Sequence, residues 1–201
     1  IGDTPLIKHL LNRLRKGGNY KVVLATSDRS VDKPLLDWAS AEGIDAFTGN
    51  AFDLKIRIRD CVNHFQANHF ARVNADSPFI DYRLLENAFA FMSSHTCDLY
   101  TNLFPRSYPY GYSVEVFRSE AFIKTLATNP ELEHISSYFY THAEAFDIYN
   151  LSSGKVGLSD IRMTVDTPHD FDILSTLFKS HPRLFEYSLD QLVPLFQNTN
   201  A

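Results

Sequence analysis

Two carboxylates stand where chemistry is most readily built. Asp76 follows the run Phe70–Asn74, and Asp166 follows the run Ile161–Val165. Both runs read as short strands, so both acids are expected at the same edge of a sheet. Two acidic side chains converging there can hold Mg²⁺, a hard cation that takes oxygen ligands and keeps part of its water. Such an ion neutralises charge as a phosphoryl group is transferred. Each acid also has a plain structural use. Asp166 precedes Thr167-Pro168-His169-Asp170, and Thr-x-x-Asp is a capping-box-like helix start. Asp76-Ser77-Pro78 can simply cap a turn. Position alone leaves both uses open.

Arg57 lies in Asp53-Leu54-Lys55-Ile56-Arg57-Ile58-Arg59, a charged stretch on one helix with Ile56, Cys61 and Phe65. A solvated helix face with local ion pairs accounts for that pattern as well as a ligand site does. The tyrosines Tyr108, Tyr110 and Tyr112 read equally as a sugar-facing wall or as packing, because tyrosine joins an apolar face to a polar tip. Other chemistries find no support. The histidines lack metal-ligand spacing, and no thiol pair accompanies them. No G-x-S-x-G, G-x-G-x-x-G or G-x-x-x-x-G-K-[ST] pattern occurs.

The elements that must carry these residues alternate along the chain. Thr4-Pro5 reads as a cap and first-turn proline, followed by Leu6, Leu10, Leu11 and Leu14 on one helical face. Lys21–Thr26 reads as a buried strand, and Asp32 with Pro34 opens a second helix that Gly43 closes. Ala46-Phe47 is a weak strand, 53–65 a helix, Phe70–Asn74 a strand and 81–92 a helix. Beyond these, 98–102 reads extended, 103–113 irregular and Val114–Phe117 a strand. Helices are expected around 120–126 and 133–142, extended segments at 146–149 and 161–165, and a helix from Thr167-Pro168. Strands separated by helices mean βαβ units and a mostly parallel, twisted sheet with helices on both faces. Ligands bind such sheets beyond the carboxyl ends of the strands. That gives functional weight to Thr26-Ser27, to Asn74–Ser77 and to Asp166.

Length and composition bound the rest. The chain has 201 residues, 44% hydrophobic and 21% charged, which suits one globular domain over 1–201. Nineteen basic against 24 acidic side chains give a net charge of −5, unsuited to coating a nucleic-acid backbone. Two isolated cysteines suggest a reducing compartment, and no run is long enough for a membrane span. A cytoplasmic location is the expectation.

Several segments resemble one family, the cytidylyltransferases that activate sugars and sugar acids. The nearest branch is the spore-coat polysaccharide type, related to acylneuraminate and 3-deoxy-manno-octulosonate cytidylyltransferases. Val22–Ser27 resembles that family's second strand. Arg72-Val73-Asn74-Ala75-Asp76-Ser77-Pro78-Phe79-Ile80-Asp81 resembles R-[IV]-x-G-D-x-P-L-I-D. Tyr108-Pro109-Tyr110-Gly111-Tyr112-Ser113-Val114-Glu115-Val116-Phe117 resembles Y-P-D-G-x-D-V-E-V-F. Glu133-His134-Ile135-Ser136-Ser137-Tyr138 resembles E-H-V-T-P-Y, and Arg162–Asp170 resembles R-x-T-V-D-T-P-E-D. The matches fall in order over about 1–175.

The resemblance implies a nucleotide-diphospho-sugar-transferase-like α/β fold. It implies Mg²⁺ on Asp76 and Asp166, with Arg57 at the nucleotide. Thr26, Ser27, Asp53 and Asn74 would border the nucleotide, and Tyr108, Tyr112, Glu115 and His134 the sugar. The implied reaction moves CMP from CTP to a sugar or sugar acid with release of pyrophosphate, in surface polysaccharide biosynthesis. The segment 98–150 would extend the sheet as a sugar side or a dimer arm, making a homodimer compatible with the reading.

Departures accompany the likeness. The family opens with a first strand and a loop rich in Arg, Ser, Gly and Lys that holds the triphosphate, and nothing like it precedes Ile1. A sheet without that central strand would have a hole and open strand edges, so a stretch missing from the chain is expected. Ala75 replaces a glycine, Tyr110 and Ser113 replace aspartates, and Ile56 replaces an acid beside Arg57. These losses support an alternative, a catalytically lapsed homologue that binds a sugar or a partner.

Overall fold

Helix α1 (Leu6–Leu14) buries Leu10, Leu11 and Leu14, its apolar stripe, at roughly 2 kcal/mol for each side chain removed from water. The expected Thr4 cap is not made: Pro5 occupies the boundary, with no side-chain oxygen to offer. On the buried face Arg13 spends its guanidinium on carbonyls, with Nε donating to Ile80 at 3.0 Å and Nη1 to Phe185 at 2.7 Å. These bonds staple α1 to two distant segments. They also offset the cost of burying the charge.

The computed structural model describes residues 1–127 and 134–197. A parallel unit follows α1: β1 (Val23–Ser27), α2 (Lys33–Glu42) and β2 (Asp45–Gly49), with Val23 opposite Asp45. Gly43 ends α2 at a φ of +66°, a conformation glycine adopts without strain. Helix α3 (Leu54–His64) is capped by Asp53, whose carboxylate accepts the Ile56 amide at 3.0 Å.

A second sheet has the order β3 (His69–Ala71), β5 (Glu115–Arg118), β4 (Leu99–Thr101), β6 (Ile148–Asn150). Helices α4 (Tyr82–Ser94), α5 (Ser119–Leu126) and α6 (Ser137–Thr141) pack about it, and α7 (Pro168–Ser180) and α8 (Leu189–Gln197) complete the chain. Asp81 caps α4, and Thr167 with Asp170 forms the expected capping box on α7.

The α/β class stands, while the sheets are mixed rather than mostly parallel. β5 runs antiparallel to both β3 and β4, and β4 pairs parallel with β6. No helix intervenes between β4 and β5, so the chain returns beside itself in the reverse direction. The excursion between them is closed by Asn102, which is fully buried: its side-chain amide donates to the Tyr112 carbonyl and accepts from the Val114 amide, both at 2.9 Å.

Two other expectations change. Segment 161–165 is not a sheet strand; it makes one parallel bridge, Arg162 with Tyr110. The helix expected at 133–142 covers only Ser137–Thr141, and Glu133 lies outside the described residues. Sequence periodicity also leaves α8 unassigned.

Among the described residues the two sheets do not join: β1 pairs only with β2, and β3 only with β5. Val23–Thr26 and Ala71–Asp76 border one cleft of about 580 Å³. Leu10, Leu14, Trp38 and Ile58 close its apolar body.

Candidate active site

The polar mouth of the cleft gathers Thr26, Arg57, Arg72, Asn74 and Asp76. Local structure explains each placement. Gly49 ends β2 where a Cβ would lie 3.1 Å from Arg57 Cγ, so the missing side chain lets α3 and its arginine approach the strand. Arg57 Nη1 donates to the Asn50 carbonyl at 2.7 Å. Its Nε is buried without a hydrogen-bond partner among the described residues.

Arg72 lies on the chain just beyond β3. It is half-buried and makes no hydrogen bond or ion pair among the described residues. Burial pulls its pKa down, while Glu115 and Asp76 oppose that shift. An arginine taken partly out of water without a partner is costly unless an anion completes it. Arg57 and Arg72 therefore form a cationic pair at the mouth, poised for a polyanion. Motif reading does not single out Arg72 as a site residue. Its signal is a charge interrupting the apolar run Phe70-Ala71-Arg72-Val73.

Asp76 and Asp166 are brought to one place without sharing a sheet. The Asp76 carbonyl accepts the Val165 amide at 2.9 Å, which sets the residue after Val165 beside Asp76. Asp76 Oδ1 accepts the Ser77 hydroxyl at 2.8 Å. Asp166 Oδ2 accepts from Arg162 at 2.8 Å and from Thr164 at 2.7 Å. Asp76 Oδ2 and Asp166 Oδ1 have no partner among the described residues. Among those residues no group of three or more His, Cys, Asp or Glu side chains could hold a metal ion. The donor set still fits Mg²⁺, which commonly takes one or two carboxylates and fills its remaining positions with water and substrate phosphates.

The other expected site residues divide. Thr26 Oγ1 donates to Asp32 at 2.9 Å, and Ser27 donates to the same carboxylate through its amide at 3.1 Å and through its hydroxyl. Both are buried, so their present role is to tie β1 to the start of α2. The Ser27 and Thr26 bonds hold the Asp32 carboxyl below its ordinary pKa. Asp53 serves as the α3 cap. Asn74 is exposed at the mouth. Glu115 accepts the Tyr140 hydroxyl at 2.6 Å, and Thr101 lies 2.8 Å from the same oxygen. Burial, then Glu115, pushes the Tyr140 pKa up.

Tyr112 is corrected outright. It is 1% exposed and packs in the core with Phe79 and Leu174, its hydroxyl 3.4 Å from Arg13. Alternation explains the error: a residue two positions from the exposed Tyr110 need not share its face once Gly111 turns the chain. Tyr108 is half-buried against the same core, and His134 is exposed.

No family model matches the chain. The spore coat polysaccharide biosynthesis protein SpsF of Bacillus subtilis (strain 168) is 23% identical over 205 residues, covering 97% of this chain and 84% of that protein. A cytidylyltransferase structure from Leptospira borgpetersenii superposes with a TM-score of 0.89 at 25% identity, covering all of this chain and 86% of that one. The chain is similar to sugar cytidylyltransferases in both sequence and fold. The fold extends to a CMP:2-keto-3-deoxy-manno-octonic acid synthetase solved with CTP, at a TM-score of 0.63, 15% identity and 90% coverage of each chain. Among its described residues the chain has no helix long and apolar enough to cross a membrane.

Proposed function

We propose that the chain catalyses Mg²⁺-dependent transfer of CMP from CTP to a sugar or sugar acid, for a surface polysaccharide. The observation that carries this reading is the arginine couple without an ion pair among the described residues, Arg57 and Arg72, beside Asp76 at the mouth of the cleft. The couple suits a triphosphate. The synthetase that shares the fold was solved in complex with CTP, which favours cytidine as the base.

Arg57 and Arg72 bind and orient the phosphates, placing the α-phosphorus toward the acceptor. Asp76 and Asp166 would hold Mg²⁺, which supplies charge neutralisation when bound. An acceptor hydroxyl oxygen bonds to the α-phosphorus as the bond to the oxygen bridging toward the β-phosphate breaks. Pyrophosphate leaves, and the hydroxyl proton passes to water. The remainder of catalysis is positioning and fixed electrostatics.

One observation favours the lapsed-homologue reading. Asp166 Oδ2 is already held by Arg162 and Thr164. Pyrophosphate release decides between the two. The assay supplies CTP, GTP, UTP or ATP, with Mg²⁺ or EDTA, and a panel of sugars and sugar acids. Release from CTP that EDTA stops is expected. CTP binding without release under any acceptor selects the lapsed homologue. No binding of any nucleotide overturns the transfer reading and leaves the homologue that binds a sugar or a partner. Binding is read as a rise in Tm: about 2.7 kcal/mol of stabilisation at 100 times Kd corresponds to roughly 5–10 °C for a chain of this size.

A further inference from the structure

We infer that Arg106 binds an anionic group on the acceptor, a carboxylate or a phosphate, on the side of the site away from the triphosphate couple. The inference rests on the proposed transfer reaction and names the acceptor's chemical class.

A further arginine near the site carries an unanswered charge. Arg106 is half-buried in the loop between β4 and β5. Its Nη1 reaches only neutral oxygens, the Pro109 carbonyl at 3.5 Å and the Ser113 hydroxyl at 3.3 Å. No ion pair engages it among the described residues. Burial lowers its pKa, while Tyr110 and Glu115 act in the opposite sense. Glu115, the acid that acts on it, is hydrogen-bonded instead to Tyr140. A guanidinium so placed presents a planar fork that carboxylate and phosphate oxygens match in bidentate fashion.

The guanidinium is held in orientation. Its central carbon lies 4.1 Å from the centre of the Tyr110 ring, and that of Arg162 lies 5.0 Å from the same ring. Cation–π attraction fixes the face of each fork and leaves its N–H edge for a ligand. Arg162 is tied to Asp166 at 2.8 Å. Arg106 is thus one aromatic ring removed from an arginine bonded to the second candidate metal carboxylate. The ring itself is fixed by backbone: the Tyr110 amide donates to Ile161, and its carbonyl accepts from Met163, both at 2.9 Å. The Tyr110 ring thus presents two stacked cations at one place.

The site then divides its cations. Arg57 and Arg72 would take the nucleotide and Arg106 the acceptor, with Glu115 acting electrostatically on both Arg72 and Arg106.

The test uses the full chain and three probes: a sugar acid, a sugar phosphate, and a neutral sugar of the same size. Binding is measured without nucleotide by calorimetric titration on the wild type, Arg106→Gln, Arg106→Lys and Arg57→Gln. One or both charged probes are expected to bind and the neutral sugar not; which of the two binds separates carboxylate from phosphate recognition. Arg106→Gln should weaken that binding by about 10- to 100-fold, the scale of a lost charge-assisted pair. Arg106→Lys should restore part of it, and Arg57→Gln, at the nucleotide couple, should weaken binding of the sugar acid far less than Arg106→Gln does. Where turnover is present, Arg106→Gln should raise the KM of the acceptor and leave that of CTP alone. Tyr110→Leu, which removes the stack while keeping an apolar side chain, should weaken the charged probe as well. Equal binding of neutral and charged probes overturns the inference, as does full affinity in a folded Arg106→Gln or no binding of either charged probe. Absence of pyrophosphate release with binding intact overturns the proposed reaction and leaves the binding result standing.

Discussion

The Asp76 carbonyl accepts the Val165 amide at 2.9 Å, and this one backbone bond links the two segments that carry the candidate metal carboxylates. Neither sheet contains both. The site is assembled from a loop end beyond β3 and an extended segment stitched to it, so its geometry depends on few bonds.

Asp76→Asn should abolish transfer and spare the fold. The side chain makes one hydrogen bond, to Ser77, so little packing is lost. A fall of about 10²–10³ in turnover is the scale for removing one electrostatic stabiliser. Pyrophosphate release and the melting profile measured on one sample check both halves; normal turnover removes the role assigned to Asp76.

Replacing Arg72 by methionine should separate function from stability. The arginine is half-buried and makes no hydrogen bond or ion pair among the described residues, so an apolar side chain of similar length is expected to leave Tm unchanged or raise it. The KM for CTP should rise about 10- to 100-fold, as for a lost charge-assisted contact. A drop in Tm with unchanged KM would mean that Arg72 is structural.

Gly111 is a conformational requirement. Its φ is +91°, and a Cβ there would lie 3.0 Å from the Met163 carbonyl carbon. Gly111→Ala should cost about 1–3 kcal/mol through strain alone. It should also displace the segment bearing Arg162 and Asp166. Urea denaturation gives the first effect and acceptor KM the second.

Acid should expose the Asp32 contact. The folded-state carboxyl lies below its ordinary value because Ser27 and Thr26 donate to it. Its stabilisation is therefore complete above the unfolded-state pKa of about 3.9. It is lost as the pH falls below that toward the folded-state value. Asp32→Asn should flatten the decline of Tm below about pH 4, relative to the wild type. An identical acid limb in the two proteins would assign the decline to other carboxylates.

Trp38 is the one tryptophan of the chain and lines the cleft. CTP with Mg²⁺ should change its fluorescence saturably, with the same Kd as the thermal shift, and Trp38→Phe should remove the signal while CTP still binds.

Much of the site is legible in local sequence because its signals are local. Thr167-Pro168-x-Asp170 specifies a capping box with atoms three residues apart, and it is present as read. Asp53 and Asp81 precede helices and cap them for the same reason. The charges in α3 are legible as a pattern but not as a role, since a solvated arginine and one with a buried, unpartnered Nε have the same letter.

By itself the sequence determined the alternation of helices and strands, the α/β class and the acids that cap helices. It does so through periodicity and capping, which act over a few residues. The tertiary structure alone decided that Tyr112 enters the core while Tyr110 stays out between two arginines, and that the sheet divides around an apolar cleft. It alone set Arg106 without a countercharge, and Asp166 beside Asp76 by a bond spanning about ninety residues of chain. Pairing of that kind is chosen by which distant surfaces exclude water together, and no local spacing encodes it.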